Sequence, residues 1–258
     1  MKKHAQNLRY GYSTGACLSA LGCALWKFLR QKKRPQQINI TFLDGQEKEL
    51  PLISDKLGKG ILQIRKDGGD DPDCTHSAVL SASIFQSSLE NAQKEDYILS
   101  VGNDTLILHA THGIGLCTRK GLDCEEGKWA INVNPRKMLM LNLQKYGMGQ
   151  SPNSQIWQLN IGVENGEELA KKTLNAKLGV IGGISILGTT GHVKPFSHDA
   201  YVQTIRICVR TAKSEQSSHI VFGTGARSLS NAKKFYPYLP ENNFIPIADF
   251  IGKSLEIA

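Results

Sequence analysis

Hydrophobic and polar residues alternate along several short stretches of the chain. From Ile38 to Phe42, for example, every second residue is apolar. Alternation with a period of two is typical of strands that bury one face. Asp44 and Gly45 then predict a hairpin turn between two such stretches. The predicted strands are residues 37–43, 48–53, 61–66, 80–84, 97–101, 105–110 and 155–163.

Apolar residues at helical spacing predict a long helix near the N-terminus. Those that recur at intervals of three and four are Leu18, Leu21, Leu25, Trp26 and Leu29. Ser13 or Thr14 can cap the first turn of this helix. Asn134 followed by Pro135 predicts the start of a second helix, which continues to about residue 146. Further helices are predicted at residues 167–174, 199–213 and 227–236.

The last quarter of the chain has the pattern of a β-α-β unit. A buried strand leads into a Gly-Thr-Gly loop with Gly223 and Gly225, and the helix and strand that follow end in Asp249. In nucleotide-binding folds an acid in this place binds ribose hydroxyls. Ser228 stands where the third glycine of that fingerprint is expected, so the pattern alone identifies no cofactor. The two predicted strands are residues 219–222 and 244–248.

A glycine-rich stretch combines an apolar run with a loop that has little side-chain bulk. The run of residues 180–187, predicted as a strand, opens into Gly188, Thr189, Thr190 and Gly191. Glycines let the main chain approach a ligand closely, and threonine hydroxyls can bind a polar group held there. The pattern therefore predicts a binding site formed largely by backbone. A tight hinge between domains is the alternative interpretation.

Small residues and acidic residues mark two further candidate sites. Ser13, Thr14 and Gly15 leave the first N–H groups of the predicted helix accessible to an anion, with plain capping as the alternative. The loop around Asp70 and Asp71 holds four carboxylates in seven residues. These repel one another unless solvent, N–H groups or a cation neutralises them. An acidic surface turn is the alternative interpretation of this loop.

Two arginines and two histidines complete the candidates. Arg119 lies in a glycine-shaped turn with the sequence GIGLCTRKGL. Arg136 lies in the first turn of a predicted helix, where the helix dipole disfavours a cation. This position indicates that Arg136 binds an anion. His109 and His112 are three residues apart but fall on a predicted strand, and no carboxylate follows at a recognisable interval. The pattern does not favour a metal site.

Composition and charge narrow the class of protein. The 258 residues are 40% hydrophobic and 21% charged, with a formal net charge of +8. Such a chain attracts polyanions, and the scattered basic residues favour a small polycarboxylate over nucleic acid. Six cysteines lack a CxxC pair, so reduced thiols are expected. No signal peptide or membrane-spanning run is evident, which predicts a cytoplasmic protein without a membrane partner.

Five motifs together resemble the CbiD family, the cobalt-precorrin-5B C1-methyltransferases of the anaerobic cobalamin pathway. They are GYSTGAC at 11–17, KDGGDDPD at 66–73, GIGLCTRKGL at 113–122, AINVNPR at 130–136 and GGISILGTTG at 182–191. The resemblance implies an enzyme that moves a methyl group from S-adenosylmethionine to C1 of cobalt-precorrin-5B and gives cobalt-precorrin-6A. Because cobalt arrives inside the tetrapyrrole substrate, no protein-bound metal is expected.

The resemblance also implies a fold with two domains. An α+β domain similar to a permuted ribosomal S5 domain 2 is expected over residues 1–193. A smaller parallel α/β domain, short or truncated relative to many family members, is expected over residues 194–258. Lys120 and Trp129 stand where the family motifs lead us to expect prolines, so the edges of those two loops are expected to differ in shape.

Residue roles follow from combining the motifs with the resemblance. The residues expected near S-adenosylmethionine are Gly188, Thr189, Thr190, Gly191, Gly223, Gly225 and Asp249. Those expected to border the tetrapyrrole are Ser13, Thr14, Gly15, Asp70, Asp71, Arg119 and Arg136. No catalytic residue is assigned, because the methyl donor is already activated and transfer requires mainly alignment.

Two alternatives to the methyltransferase remain open on the sequence. One is a Rossmann-type nucleotide enzyme that binds a nicotinamide cofactor through the Gly-Thr-Gly loop. The other is a non-catalytic corrinoid carrier or an inactive truncated homologue. The sequence also leaves open whether the chain forms a homo-oligomer.

Overall fold

The computed structural model describes residues 8–53 and 60–258. The strands are β1 (Gly11–Tyr12), β2 (Gln37–Thr41), β3 (Glu47–Pro51), β4 (Ile61–Arg65), β5 (Val79–Gln86), β6 (Tyr97–Val101), β7 (Asp104–Ala110), β8 (Leu116–Cys117), β9 (Ile156–Val163), β10 (Val180–Ile181), β11 (His192–Val193), β12 (Val221–Gly223) and β13 (Phe244–Pro246). The helices are α1 (Thr14–Gln31), α2 (Val133–Lys145), α3 (Gly166–Ala170), α4 (Asn175–Leu178), α5 (His198–Ser214), α6 (Ala226–Phe235) and α7 (Ile251–Ile257).

A mixed five-stranded sheet and two helices form the main core. The strand order is β4-β5-β9-β7-β6, and all neighbours are antiparallel except β7 and β9. Helices α1 and α2 pack on each other and against this sheet. The strands of this sheet and the hairpin of β2 and β3 lie where alternation predicts them, because one face of each buries its apolar residues.

Helix α1 is the most buried element of this core. Ser13 caps it, with its hydroxyl accepting a hydrogen bond from the Ala16 N–H at 3.2 Å. All residues from Thr14 to Trp26 are buried. Because Gly22 lacks a side chain, α2 can approach closely: a Cβ there would lie 2.6 Å from Leu139 Cδ1. The predicted helix and cap are both confirmed.

The glycine-rich stretch contains less regular strand than the sequence predicts. Within residues 180–187, only β10 is a strand, and Ile184 and Ile186 form isolated bridges to neighbouring segments. Gly182 has a φ of +85°, which interrupts the extended run. Helix α2 also begins earlier than predicted, with Asn132 rather than Asn134 at the N-cap position. The predicted helix at 167–174 ends at Ala170.

A second, smaller hydrophobic cluster lies in the C-terminal part of the chain. Strands β12 and β13 are parallel and α6 connects them, which confirms the predicted β-α-β unit. The buried apolar residues of this cluster are Ile205, Cys208, Val209, Ile245 and Ile247. Leu174 and Leu178 pack against it from the preceding segment. In the part of the chain that the structure describes, no helix is long and apolar enough to span a bilayer.

Candidate functional site

The glycine loop, residues 187–191, is held against the start of α1. The Ser13 N–H donates to the Gly191 carbonyl at 2.8 Å, and the Gly15 N–H donates to the Leu187 carbonyl at 3.0 Å. The Thr14 hydroxyl accepts from the Leu187 N–H at 2.9 Å. Two of the motifs quoted above thus form one hydrogen-bonded unit, although more than 170 residues separate them along the chain.

Two glycines of this loop allow close packing against protein neighbours. A Cβ on Gly188, where φ is +143°, would lie 2.3 Å from Ser13 Oγ. A Cβ on Gly191 would lie 2.6 Å from Phe42 Cγ. Any side chain at these positions would push the loop away from α1 and the β2–β3 hairpin. These two glycines are therefore needed for the packing of the loop against neighbouring protein residues.

The start of α1 is already satisfied by protein groups. Ser13 and Thr14 are each only 2% exposed, and Gly15 is buried. The Gly15 and Ala16 N–H groups donate to the Leu187 carbonyl and to Ser13 Oγ. We expected these first-turn N–H groups to be accessible to an anion, and the structure corrects that expectation because the glycine loop covers them. Contact of these residues with substrate stays a prediction.

Two of the four carboxylates in the acidic loop, residues 67–73, are paired with the cations Arg9 and Lys66. The Arg9 guanidinium binds Asp67 and lowers the pKa of that carboxyl below its usual range. The side chain of Lys66, 2% exposed, places its ammonium 2.5 Å from Asp73. Burial raises the pKa of Asp73, but Lys66 and the hydrogen bonds from Thr75 outweigh it, so the net shift is downward. The loop is thus a charged, ordered turn.

Asp70 and Asp71 connect the acidic loop to two other segments. The Arg9 N–H donates to Asp70 at 2.7 Å. The Phe196 N–H donates to Asp71 at 3.0 Å, just beyond the glycine loop. The segment before α1, the acidic loop and the glycine loop therefore form one unit, which we call the glycine-loop cluster. Its exposed residues include Tyr10, Asp70, Leu187, Thr189 and Phe196.

His192 places a titratable group inside this cluster. Its ring lies edge-on to Phe42, with 4.5 Å between ring centroids. Its Nε2 is 3.3 Å from Asp44 Oδ2, although the atoms are not aligned for a hydrogen bond. Nearby, the Leu43 N–H donates to the Thr190 carbonyl at 2.8 Å. This link cannot be predicted from the sequence, because no local pattern places a hairpin turn against a distant loop.

Arg119 and Arg136 are each bound by a protein carboxylate. Arg119 forms an ion pair with Glu215 at 2.9 Å. Arg136 bonds to Glu125 at 3.2 Å and its guanidinium carbon lies 3.8 Å from the Tyr97 ring centroid. A substrate carboxylate would have to compete with these partners. Their predicted contact with the tetrapyrrole stays a prediction.

The remaining candidates lie where the parallel strands β12 and β13 end. Gly223 is needed for packing, because a Cβ there would lie 2.4 Å from Leu229 Cδ2. A Cβ on Gly225 would face open space among the described residues, and Asp249 is exposed. Tyr201 and Phe250 stack beside Asp249 with 5.3 Å between ring centroids. Open space, an exposed carboxylate and flat aromatic faces fit a nucleoside.

The structure therefore brings most of the candidates together in two regions. The glycine-loop cluster contains Ser13, Thr14, Gly15, Asp70, Asp71, Gly188, Thr189, Thr190 and Gly191, whereas Gly223, Gly225 and Asp249 share the strand edge. The side chains of Arg119 and Arg136 contact Glu215 and Glu125 instead. His198 connects the two regions, since it follows Phe196 closely and its ring lies 5.4 Å from Phe250. No hydrogen bond within residues 8–53 and 60–258 joins the glycine loop directly to the strand edge.

Comparison with known proteins identifies the family. The sequence model of a family described as CbiD matches residues 1–195. The chain belongs to the CbiD family. It is 38% identical over 257 residues to a cobalt-precorrin-5B C(1)-methyltransferase of Geobacillus sp. (strain WCH70), and 35% identical to one of Prosthecochloris aestuarii. These alignments cover 97% of this CbiD chain and 65% of each relative, so the chain spans just under two thirds of their length.

A solved structure supports the same assignment. The CbiD chain is similar to the crystal structure of a cobalamin biosynthesis protein (CbiD) from Archaeoglobus fulgidus, with a TM-score of 0.56 and 26% sequence identity. The match covers 96% of this chain and 73% of that one. The mixed α/β architecture is thus shared with a CbiD protein. Within the described ranges, no group of three or more His, Cys, Asp or Glu side chains is arranged to hold a metal ion.

Proposed function

We propose that this chain transfers a methyl group from S-adenosylmethionine to C1 of cobalt-precorrin-5B, giving cobalt-precorrin-6A. The observation that carries the proposal is the alignment of 97% of the chain with relatives named for this reaction. The close packing of family motifs in the glycine-loop cluster supports it, because residues far apart in sequence meet at one surface. The proposal includes a cytoplasmic location and the two domains expected at residues 1–193 and 194–258.

The cofactor is proposed to bind with its nucleoside at the strand edge. Bound S-adenosylmethionine supplies a methyl group already activated on a sulfonium. Asp249 would accept hydrogen bonds from the ribose hydroxyls, while Tyr201 or Phe250 offers a ring face to the adenine. The glycine loop, reached through residues 192–198, would border the methyl end.

The tetrapyrrole is proposed to bind over the exposed face of the glycine-loop cluster. Leu187 and Phe196 are 49% and 65% exposed there and offer apolar contact to a large flat ring. The net charge of +8 favours a substrate with several carboxylates. The chain's own groups would mainly orient the two reactants and exclude water, since the reaction needs alignment more than a nucleophile.

Isothermal titration with S-adenosylhomocysteine tests this function, with NAD as the control ligand. We expect S-adenosylhomocysteine to bind and NAD to give no specific heat. Asp249→Asn should weaken S-adenosylhomocysteine about tenfold, the effect of losing one hydrogen bond to a charged group. Glu256→Gln, which neutralises an exposed acid on α7, should leave the affinity unchanged.

The outcomes of the titration discriminate between the candidate functions. Specific NAD binding would favour the Rossmann-type enzyme. Binding of neither ligand, repeated with cobalt-precorrin present, would favour a non-catalytic corrinoid-binding protein. If S-adenosylhomocysteine binds, methyl transfer to cobalt-precorrin-5B is the next assay.

A further inference from the structure

Helix α5 presents three cations along one face. Arg206, Arg210 and Lys213 are spaced by four and three residues, which places them on the same side of a helix. All three are exposed. Their spacing alone does not indicate a site, because one basic residue per turn is ordinary for a solvated helix.

This face forms one wall of a cavity of about 390 Å³, which we call the α5 groove. Its lining residues are Asp123, Gln203, Arg206, Ile207, Val209, Arg210, Lys213 and Ile257. The cavity lies at the small end of the ~300–1,000 Å³ typical of ligand sites. It has room for a small acid or for the peripheral side chains of a larger one.

Asp123 and Arg210 form a fixed ion pair inside the groove. The Arg210 guanidinium bonds to Asp123 at 2.7 Å and also donates from Nε to the Gly121 carbonyl. The Asp123 carboxylate thus neutralises the charge of Arg210. The charges of Arg206 and Lys213 lie in the same groove beyond that pair, which leaves the lining with an excess of two positive charges.

The loop of residues 120–123, which contributes Asp123 to the groove, is held against α5. The Ser214 hydroxyl donates to the Lys120 carbonyl at 3.0 Å. Gly121 has a φ of +89°, and a Cβ there would lie 3.0 Å from the Arg210 carbonyl oxygen, so the loop packs tightly on α5. A site that is already formed spends little binding energy on ordering itself.

We propose that the α5 groove binds an oligocarboxylate anion. The Arg206 guanidinium fork matches a carboxylate in a two-point hydrogen bond, and Lys213 provides a second cation about two helical turns away. The Gln203 amide can donate to a remaining oxygen, while the partly exposed Ile207 offers apolar contact to the carbon chain. Either a free di- or tricarboxylate or the peripheral carboxylates of a tetrapyrrole supply this chemistry. The proposal does not depend on methyl transfer.

Isothermal titration of the full chain at low salt with two probes tests the groove. The probes are tricarballylate, a free tricarboxylate, and uroporphyrin, an octacarboxylated tetrapyrrole. We expect at least one of them to bind, and Arg206→Gln/Lys213→Gln to weaken that binding tenfold or more. Lys137→Gln/Lys234→Gln, which removes two charges from exposed positions on α2 and α6, should change it less than twofold.

The results show which kind of carboxylate the groove binds and whether it binds one at all. Tighter binding of uroporphyrin assigns the groove to a tetrapyrrole, and binding of tricarballylate alone assigns it to a free acid. Absence of binding by both probes overturns the proposal, as does an equal loss in both double variants. S-adenosylhomocysteine binding, measured in the same variants, should stay unchanged, which separates this test from that of the proposed function.

Discussion

Lys66 shows how one buried charge can organise a loop. Its side chain is 2% exposed and its ammonium meets Asp73 beneath the acidic loop. An unpaired buried ammonium is costly, so the pair fixes where the loop begins and ends. Four carboxylates can then share one short segment, because Lys66 and Arg9 each bind one of them.

Asp73→Asn should destabilise the protein by about 3 kcal/mol at pH 7, because it leaves Lys66 buried without its partner. The pKa of Asp73 is lowered in the folded state, so its stabilisation is complete above the unfolded pKa of about 4. It is lost as the pH falls through the lower folded-state pKa. Urea unfolding at pH 7 and at pH 3 should therefore show a smaller difference from wild type at the lower pH.

The matched control is the double variant Lys66→Met/Asp73→Asn. Removing both charges should recover most of the lost stability, since an apolar side chain then fills the buried space. A double variant no more stable than Asp73→Asn would contradict this account of the pair.

Gly188→Ala tests the contact between the glycine loop and α1. The new Cβ would collide with Ser13 Oγ, and an alanine is strained at the φ of +143° that Gly188 adopts. The substitution should therefore strain the backbone and weaken the cap that Ser13 provides. We expect a loss of about 2 kcal/mol in urea unfolding, from strain and a damaged cap together. Gly252→Ala on α7, where a Cβ meets open space within the described chain, should be neutral or stabilising. Equal midpoints for the two variants would argue against a tight contact.

At the level of elements, Asn142 ties α2 to the β2–β3 hairpin. Its amide accepts from the Thr41 N–H at 2.7 Å and donates to the Thr41 carbonyl at 2.8 Å. It also donates to the Met138 carbonyl within α2. Asn142 is 1% exposed, so no solvent replaces these bonds. The hairpin that touches the glycine loop is thereby fixed to the core helices.

Asn142→Ala should therefore cost about 3 kcal/mol, because two buried backbone groups of Thr41 lose their partner at about 1–3 kcal/mol each. Urea unfolding measures this loss. Asn91→Ala is the control: that side chain is exposed and bonds to Ser87, so a change below about 0.5 kcal/mol is expected. A similar small change for Asn142→Ala would mean that the helix and hairpin are held together by packing alone.

At the scale of the whole molecule, the buried apolar residues form two large hydrophobic clusters, and polar contacts help to join them. The larger contains α1, α2 and the five-stranded sheet, and the smaller contains α5 and the parallel strands. Polar links between them include Arg119 to Glu215 and Arg210 to Asp123. A part of a chain that has its own hydrophobic core can in principle fold, and therefore unfold, on its own.

Ile205→Ala should destabilise the C-terminal part alone, by about 2–5 kcal/mol for a large-to-small change in a core. All three tryptophans belong to or pack on the larger cluster. Urea unfolding followed by tryptophan fluorescence should thus keep its midpoint, while far-ultraviolet circular dichroism should show an earlier step. Leu80→Ala in the larger cluster should shift the fluorescence midpoint instead. Coincident shifts by both methods would contradict two separate domains.

Most of the longer strands and helices, and the family, can be inferred from the sequence alone. Period-two alternation predicted the sheet strands, and the stripe from Leu18 to Leu29 predicted α1, because both depend on neighbours along the chain. The β-α-β unit and the family motifs were equally local signals. The candidate residues of the glycine-loop cluster were named from the same motifs.

Which of these residues come into contact depends on the tertiary structure. Gly188 faces Ser13, Thr14 bonds to Leu187, and Lys66 lies beneath the acidic loop, yet none of these contacts leaves a local pattern. The prediction of a continuous strand over residues 180–187 is wrong. A hydrophobic run indicates that a segment is buried, but the turn at Gly182 and the available pairing partners decide whether that segment forms a strand. Likewise, the cations of α5 become a groove only where a distant loop packs beside them. Long-range packing places side chains together, and a linear sequence does not contain that geometry directly.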